Sequence, residues 1–173
     1  MLNYTELKLS EIQQLKPLVN SLMAFQKSKA TIKTELFDTM SFETRLLPSV
    51  ASSTHNFFVL AKDDDKPIGY VYANIAPKEN YANDFATFFD LKSINAKNVG
   101  CLSQFYIDAN YRNKGIGSKL FDVAKKWMDT FTDVEDQFIF VSNGNTDALN
   151  FYKNKGFKVS HDILEGFITV LRN

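Results

Sequence analysis

The sequence predicts an α/β domain in which helices cover both faces of a mixed sheet, and three observations carry that prediction. A chain of 173 residues with 45% apolar and 14% aromatic content is long enough for one sizeable core and short enough for one domain. Phe57–Lys62 and Ile68–Ile75 are apolar runs joined by a tight polar turn, which is an antiparallel hairpin. Val99–Ile107, the amphipathic stretch after it and Phe138–Ser142 form a strand, helix, strand run, whose usual outcome is a parallel crossover.

The elements follow in order. Leu2, Tyr4, Leu7 and Leu9 alternate as a first strand, and Ser10-Glu11-Ile12-Gln13 has the pattern of a capping box opening a helix. Ile12, Leu15, Val19, Leu22 and Phe25 are its buried stripe, and Pro17 is expected to bend it. A second helix is expected within 31–53, interrupted at Pro48. The Asp63-Asp64-Asp65-Lys66-Pro67 turn reads as solvated, since consecutive carboxylates on a tight turn diverge and do not gather on a metal. Residues 77–98 form a connection longer than loops without structure usually run, and Phe85, Phe88, Phe89 and Leu91 predict a short helix or flap.

From Phe105 to Ser118 the chain passes from strand formers through a turn at 108–114 into a helix with apolar residues at 116, 120, 123, 124, 127 and 131. The first amides of a helix have no intrahelical partner and carry the positive end of its dipole, so this junction suits an anion. Gly115 and Gly117 permit positive φ and close approach of the backbone, with Arg112 and Lys114 adding charge. The segment is neither a P-loop nor a dinucleotide fingerprint, which need GxxxxGK followed by Ser or Thr, and GxGxxG. Phe138–Ser142 is a second strand, followed by the Asn143–Asn145 loop, a helix, and Gly156 as a left-handed cap. Phe157–Ser160 and Glu165–Leu171 supply a final hairpin.

Arg112-Asn113-Lys114-Gly115-Ile116-Gly117 resembles the R/QxxGxG/A signature of the GCN5-related N-acetyltransferase (GNAT) family, whose amides bind the pyrophosphate of coenzyme A. Asn145, Ala148, Phe151, Tyr152, Gly156 and Phe157 resemble that family's second motif, in the same order along the chain. The resemblance implies a single N-acetyltransferase domain over 1–173, with a mostly antiparallel sheet that splays into a V between its fourth and fifth strands and an insertion at 77–98. It implies acetyl-CoA as cosubstrate, held by Phe105, Tyr106, Ile107, Arg112, Asn113, Lys114, Gly115, Ile116, Gly117, Ser118, Asn145, Ala148, Phe151 and Tyr152, with Tyr152 as the catalytic acid.

Acetyl transfer to an amine must orient the thioester, deprotonate the amine and protonate the departing thiolate. The hydroxyl of Tyr152, with an ordinary pKa of about 10, must act through position. Where relatives carry a strand Glu this chain has Ser103 beside Gln104, and neither is a base. Water, a backbone carbonyl, or Glu79, Asp84 or Asp90 on the insertion are the alternatives, as is an amine that arrives neutral. Cys101 reads as a buried core thiol, and one Cys with His55 and His161 shows no zinc spacing.

The acceptor is read as a small primary amine that is polyamine-, aminoglycoside- or amino-acid-like. The insertion's carboxylates and Phe residues would receive a cation. A non-catalytic acyl-CoA sensor and a protein or peptide acetyltransferase are the alternatives. Lys plus Arg and Asp plus Glu number 20 each, so no net field draws the chain to nucleic acid or an anionic membrane. No basic leader precedes an apolar run, and nothing approaches the ~18 apolar residues of a span, which predicts a cytoplasmic protein. A homodimer is compatible with this reading.

Overall fold

The computed structural model describes residues 1–173. Its sheet has seven strands: β1 (Leu2–Glu6), β2 (His55–Asp63), β3 (Lys66–Pro77), β4 (Asn98–Ile107), β5 (Gln137–Ser142), β6 (Lys158–Ile163) and β7 (Ile168–Arg172). Their order is β1-β2-β3-β4-β5-β7-β6. Only the β4–β5 pair is parallel. The final hairpin is therefore built in reverse, with β7 docking on β5 and β6 forming the edge. Its strands lie at 158–163 and 168–172, shifted from the expected bounds because Leu164, Glu165 and Gly166 all take positive φ in the turn.

The middles of β2 and β3 are apolar on both sides, save for the buried Asn74, because both sheet faces are covered. Phe57, Val59, Ala61, Val71, Ala73 and Ile75 join the cluster under α3 (Ile116–Met128), whereas Phe58, Leu60, Tyr70 and Tyr72 join the cluster under α1 (Lys16–Lys29). Two-residue periodicity thus sends alternate side chains into two cores. α3 buries Ile116, Leu120, Phe121, Ala124 and Met128. It ends at Met128, so Phe131 packs from the loop beyond, where its ring and that of Trp127 lie 5.0 Å apart.

Three local expectations are corrected. The first helix opens as a 3₁₀ segment, Leu9–Leu15, and its cap is formed by Lys8 N–H donating to the Glu11 carboxylate at 2.8 Å; Ser10 and Gln13 take no part. Pro17 then stands in the first turn of α1, where a missing amide costs no helical hydrogen bond. Pro48 likewise begins a helix instead of breaking one: Phe42–Leu46 runs into α2 (Leu47–Ser52) with Pro48 in its first turn.

The 77–98 connection holds short 3₁₀ helices and no α-helix, and Tyr81, Phe85 and Phe88 from it wall the cavity described below. Two 3₁₀ turns, Lys78–Tyr81 and Leu91–Ser93, frame an Ala82–Thr87 bridge. Phe88 and Phe89 anchor it in a third core with Phe138, Val99 and Val170. The Phe89 and Phe138 rings stack at 4.3 Å, and His161 Nε2 lies 2.8 Å from the Phe88 carbonyl oxygen.

Candidate active site

β4 and β5 pair only from Gly100 with Gln137 to Leu102 with Ile139. At the next residue β4 bulges: Leu102 opposes Ala73 and Gln104 opposes Tyr72, leaving Ser103 as the extra residue. A bulge bends its strand. Beyond it the backbone of β4 and the facing edge of β5 from Phe140 to Ser142 separate, which is the V-shaped splay. Each edge there keeps main-chain groups without a sheet partner, and such groups require one.

The cradle sits at the open end of the V. Asn113 at φ +59° and Gly115 at φ +78° turn the chain into α3, and Gly115 is its N-cap. The first helical bond runs from Lys119 N–H to the Gly115 carbonyl, so the amides of Ile116, Gly117 and Ser118 have no intrahelical acceptor. A Cβ on Gly115 would meet nothing within 4 Å, whereas one on Gly117 would lie 3.4 Å from the Phe105 ring and 3.5 Å from Ile107 Cδ1. Gly115 thus shapes the turn, and Gly117 lets the helix close on β4.

The two cradle cations differ from the expectation of free charges. Arg112 Nε donates to the Ile107 carbonyl at 3.0 Å and its guanidinium lies 4.3 Å from the Phe25 ring centre, pinning α1 to the turn. Lys114 Nζ lies 5.3 Å from the Tyr111 ring centre. Tyr106 faces α1 beside Phe25, on the sheet face opposite Phe105.

Asn145 caps α4 (Thr146–Asn154), its Oδ1 accepting from Ala148 N–H at 3.4 Å. That cap fixes the helix that carries Ala148, Phe151 and Tyr152 across the V. Phe151 stacks on Phe105 at 5.6 Å, and the Tyr152 ring centre is 6.2 Å from that of Phe105. Gly156, at φ +95°, ends the helix as the sequence predicts.

Behind these residues lies a cavity of about 320 Å³, lined at one side by Phe105, Asn145, Ala148 and Tyr152 and at the other by α1, α2 and the 77–98 insertion. Burial pushes the Tyr152 hydroxyl far above the usual tyrosine range, so it stays a proton donor. Cys101 also lines the cavity, and burial pushes its thiol up to about 11 against the pull of Ser103, Tyr81 and Arg45. It is therefore a protonated wall residue, as the sequence predicts, and no nucleophile.

None of the proposed carboxylate bases reaches this space. Glu79, Asp84 and Asp90 are exposed and absent from the lining, and Asp90 caps the 91–93 turn by accepting from Lys92 N–H. Gln104 is likewise engaged, its Oε1 accepting from Tyr70 O–H at 2.8 Å. Ser103 donates to Asn74 Oδ1, and no Asp or Glu lines the cavity at all. The polar wall consists of neutral amides and hydroxyls, apart from Arg45.

Two features escape sequence reasoning. Arg45 enters the cavity from the turn before α2, in a region with no periodic signal. Asn143 Oδ1 accepts from Thr31 N–H at 2.6 Å and Ile32 N–H at 3.2 Å, tying the end of α1 to the mouth of the V. Gly144 beside it would, with a Cβ, sit 1.8 Å from the Lys29 carbonyl oxygen. The Asn-Gly pair was legible only as a turn.

The family model described as the acetyltransferase (GNAT) family matches residues 22–157. The chain belongs to the GNAT acetyltransferase family. No curated protein sequence matches it. Among solved structures it is similar to the PaiA N-acetyltransferase of Thermoplasma acidophilum in complex with coenzyme A, with a TM-score of 0.70, 18% identity, and 100% of this chain and 98% of that one covered. Arabidopsis thaliana NAA60 in complex with acetyl-CoA aligns with a TM-score of 0.63 at 14% identity, covering 100% and 98%. The NatC complex bound to Gag peptide and CoA aligns at 0.60 and 15% identity, covering 99% and 95%. At these identities the likeness is one of GNAT fold. No helix is long and apolar enough to cross a membrane.

Proposed function

We propose that the protein is an acetyl-CoA-dependent N-acetyltransferase whose acceptor is the primary amine of a small molecule. The observation that carries this reading is the single cavity that joins the V-shaped splay to a wall formed by Tyr81, Phe85 and Phe88 of the insertion. A peptide needs an open groove at this end, and here Tyr81, Phe85 and Phe88 of the insertion wall one side of it.

The residues present fit the cosubstrate. Unpaired amides at Ile116, Gly117 and Ser118, behind the left-handed Gly115, suit a pyrophosphate, with Asn113 and Lys114 at the rim. The backbone of β4 around Phe105, which no residue of β5 pairs, and the free edge of β5 suit the two amides of a pantetheine arm, with Ala148 and Phe151 as the apolar side of the slot, while the Ile107 carbonyl is already taken by Arg112. Ser142 Oγ, buried at that edge without a hydrogen-bond partner, is a further donor aimed at such a group. Arg112 and Tyr106 support the cradle from beneath. Acetyl-CoA supplies an acetyl group activated as a thioester.

Tyr152 gives a proton to the leaving sulfur; burial keeps the hydroxyl protonated but makes it a weaker acid, so it acts through position, as negative charge develops on the sulfur. Because no carboxylate lines the cavity, the amine is deprotonated through water held by Ser103, Asn74 and Tyr81, or enters already neutral. The same absence of a side-chain base favours a second reading, a non-catalytic acyl-CoA sensor. A panel of amines with detection of released thiol separates the two. Turnover of any small amine supports the enzyme, while tight acetyl-CoA binding by calorimetry without turnover supports the sensor.

A further inference from the structure

Arg45 is the sole charged residue lining the cavity. The chain has three arginines, and the other two are engaged: Arg112 by Ile107 and Phe25, Arg172 by Asp136. The guanidinium of Arg45 makes no ion pair, hydrogen bond or ring contact. Arg45 is exposed to solvent in the cavity, and the protein around it lowers its pKa with no carboxylate near enough to offset it. With no protein partner, its fork of donors is free to receive an anion that enters the cavity.

Resting on the reading above that this cavity takes an amine, we propose that the acceptor carries a carboxylate and that Arg45 binds it. One guanidinium presents a planar fork that a carboxylate meets with two parallel hydrogen bonds. A single positive charge balances a carboxylate fully, whereas a phosphate would leave surplus negative charge in a space with no other cation. Phe85, Phe88 and Phe140 give the remaining wall an apolar character, and about 320 Å³ suits a molecule the size of an amino acid. The acceptor class is therefore an amino acid with an apolar side chain, its carboxylate at Arg45 and its amine toward the splay. Polyamines and aminoglycosides are disfavoured: nothing in the cavity offsets their charge, and Arg45 repels it.

The test compares apolar amino acids with their carboxamides, their decarboxylated amines and a phosphate-bearing amine, in the parent, Arg45→Gln and Arg45→Lys. The parent should prefer the acid over its amide by about 10- to 100-fold in kcat/KM, the range of a charged hydrogen-bonded contact. Arg45→Gln should bring that ratio near one, and Arg45→Lys should fall between. Calorimetry of the N-acetylated amino acid with each variant, in the presence of CoA, reads the same contact without turnover. Arg45-dependent binding of this carboxylate in a protein that turns over no amine would retain the site and reject the enzyme reading. Equal use of acid, amide and decarboxylated amine by the parent, an acid preference that survives Arg45→Gln, or preference for the phosphate-bearing amine would each overturn the carboxylate assignment.

Discussion

Replacing Tyr152 by Phe removes one hydroxyl and leaves a ring that still fills its place against Phe105 and Phe121. The expected result is a fall in kcat of about 100-fold or more with little change in the KM of acetyl-CoA, the size of a lost general acid. Steady-state kinetics checks it, and a KM effect alone would make Tyr152 a packing residue. The absence of a base makes a second prediction at this scale. Plots of kcat/KM against pH should rise with an inflection that follows the pKa of each acceptor amine; an inflection fixed at one pH across amines of differing pKa would reveal a base on the enzyme. Tyr152 was legible as a candidate because it falls in the segment that resembles the family's second motif, at i+4 from Ala148. Arg45 was not, because its approach to the cavity depends on how a non-periodic turn packs, and no local pattern encodes that.

The insertion and the two glycine turns belong to the scale of elements. The sequence made 77–98 an ordered segment through its phenylalanines, and those residues do anchor it. It did not show which way the carboxylates point. Asp84→Asn with Asp90→Asn should therefore leave acceptor KM within about twofold of the parent at low salt, since exposed charges off the cavity contribute little. A several-fold rise would return the acidic loop to the acceptor site. In the cradle, Gly117→Glu adds a bulky anion at the helix N-terminus and against the Phe105 ring, and acetyl-CoA affinity by calorimetry should fall at least tenfold. Unchanged affinity in the folded variant would mean that the cradle lies elsewhere. Capping and proline effects were the least legible: Ser10 and Lys8 both precede plausible helix starts, and only the 3₁₀ entry decides between them.

At the scale of the whole molecule, the layered sheet was legible because continuous apolar strands and one clean helical stripe leave few arrangements. The order β5-β7-β6 was not, since a terminal hairpin can add to a sheet by either strand. The buried hydroxyls and thiol of this core also set its response to alkali. Tyr70, Tyr72, Tyr81, Tyr152 and Cys101 all titrate above their usual values because burial disfavours the charged form. The unfolded chain then loses these protons first, so their stabilisation is complete below about pH 9 and declines as pH rises through 9 to 11 and beyond. Denaturant midpoints measured across that range should fall steadily.

The central claim is that acetyl leaves acetyl-CoA for the amine of a small molecule bound in the cavity beside the splay. Its most direct test offers the protein acetyl-CoA together with an equimolar mixture of amino acids, polyamines and peptide N-termini, and reads the products by mass spectrometry. The account predicts N-acetylated small molecules, lost in Tyr152→Phe. Acetylated peptides with the small amines untouched, or free CoA with no acetylated amine, would contradict it.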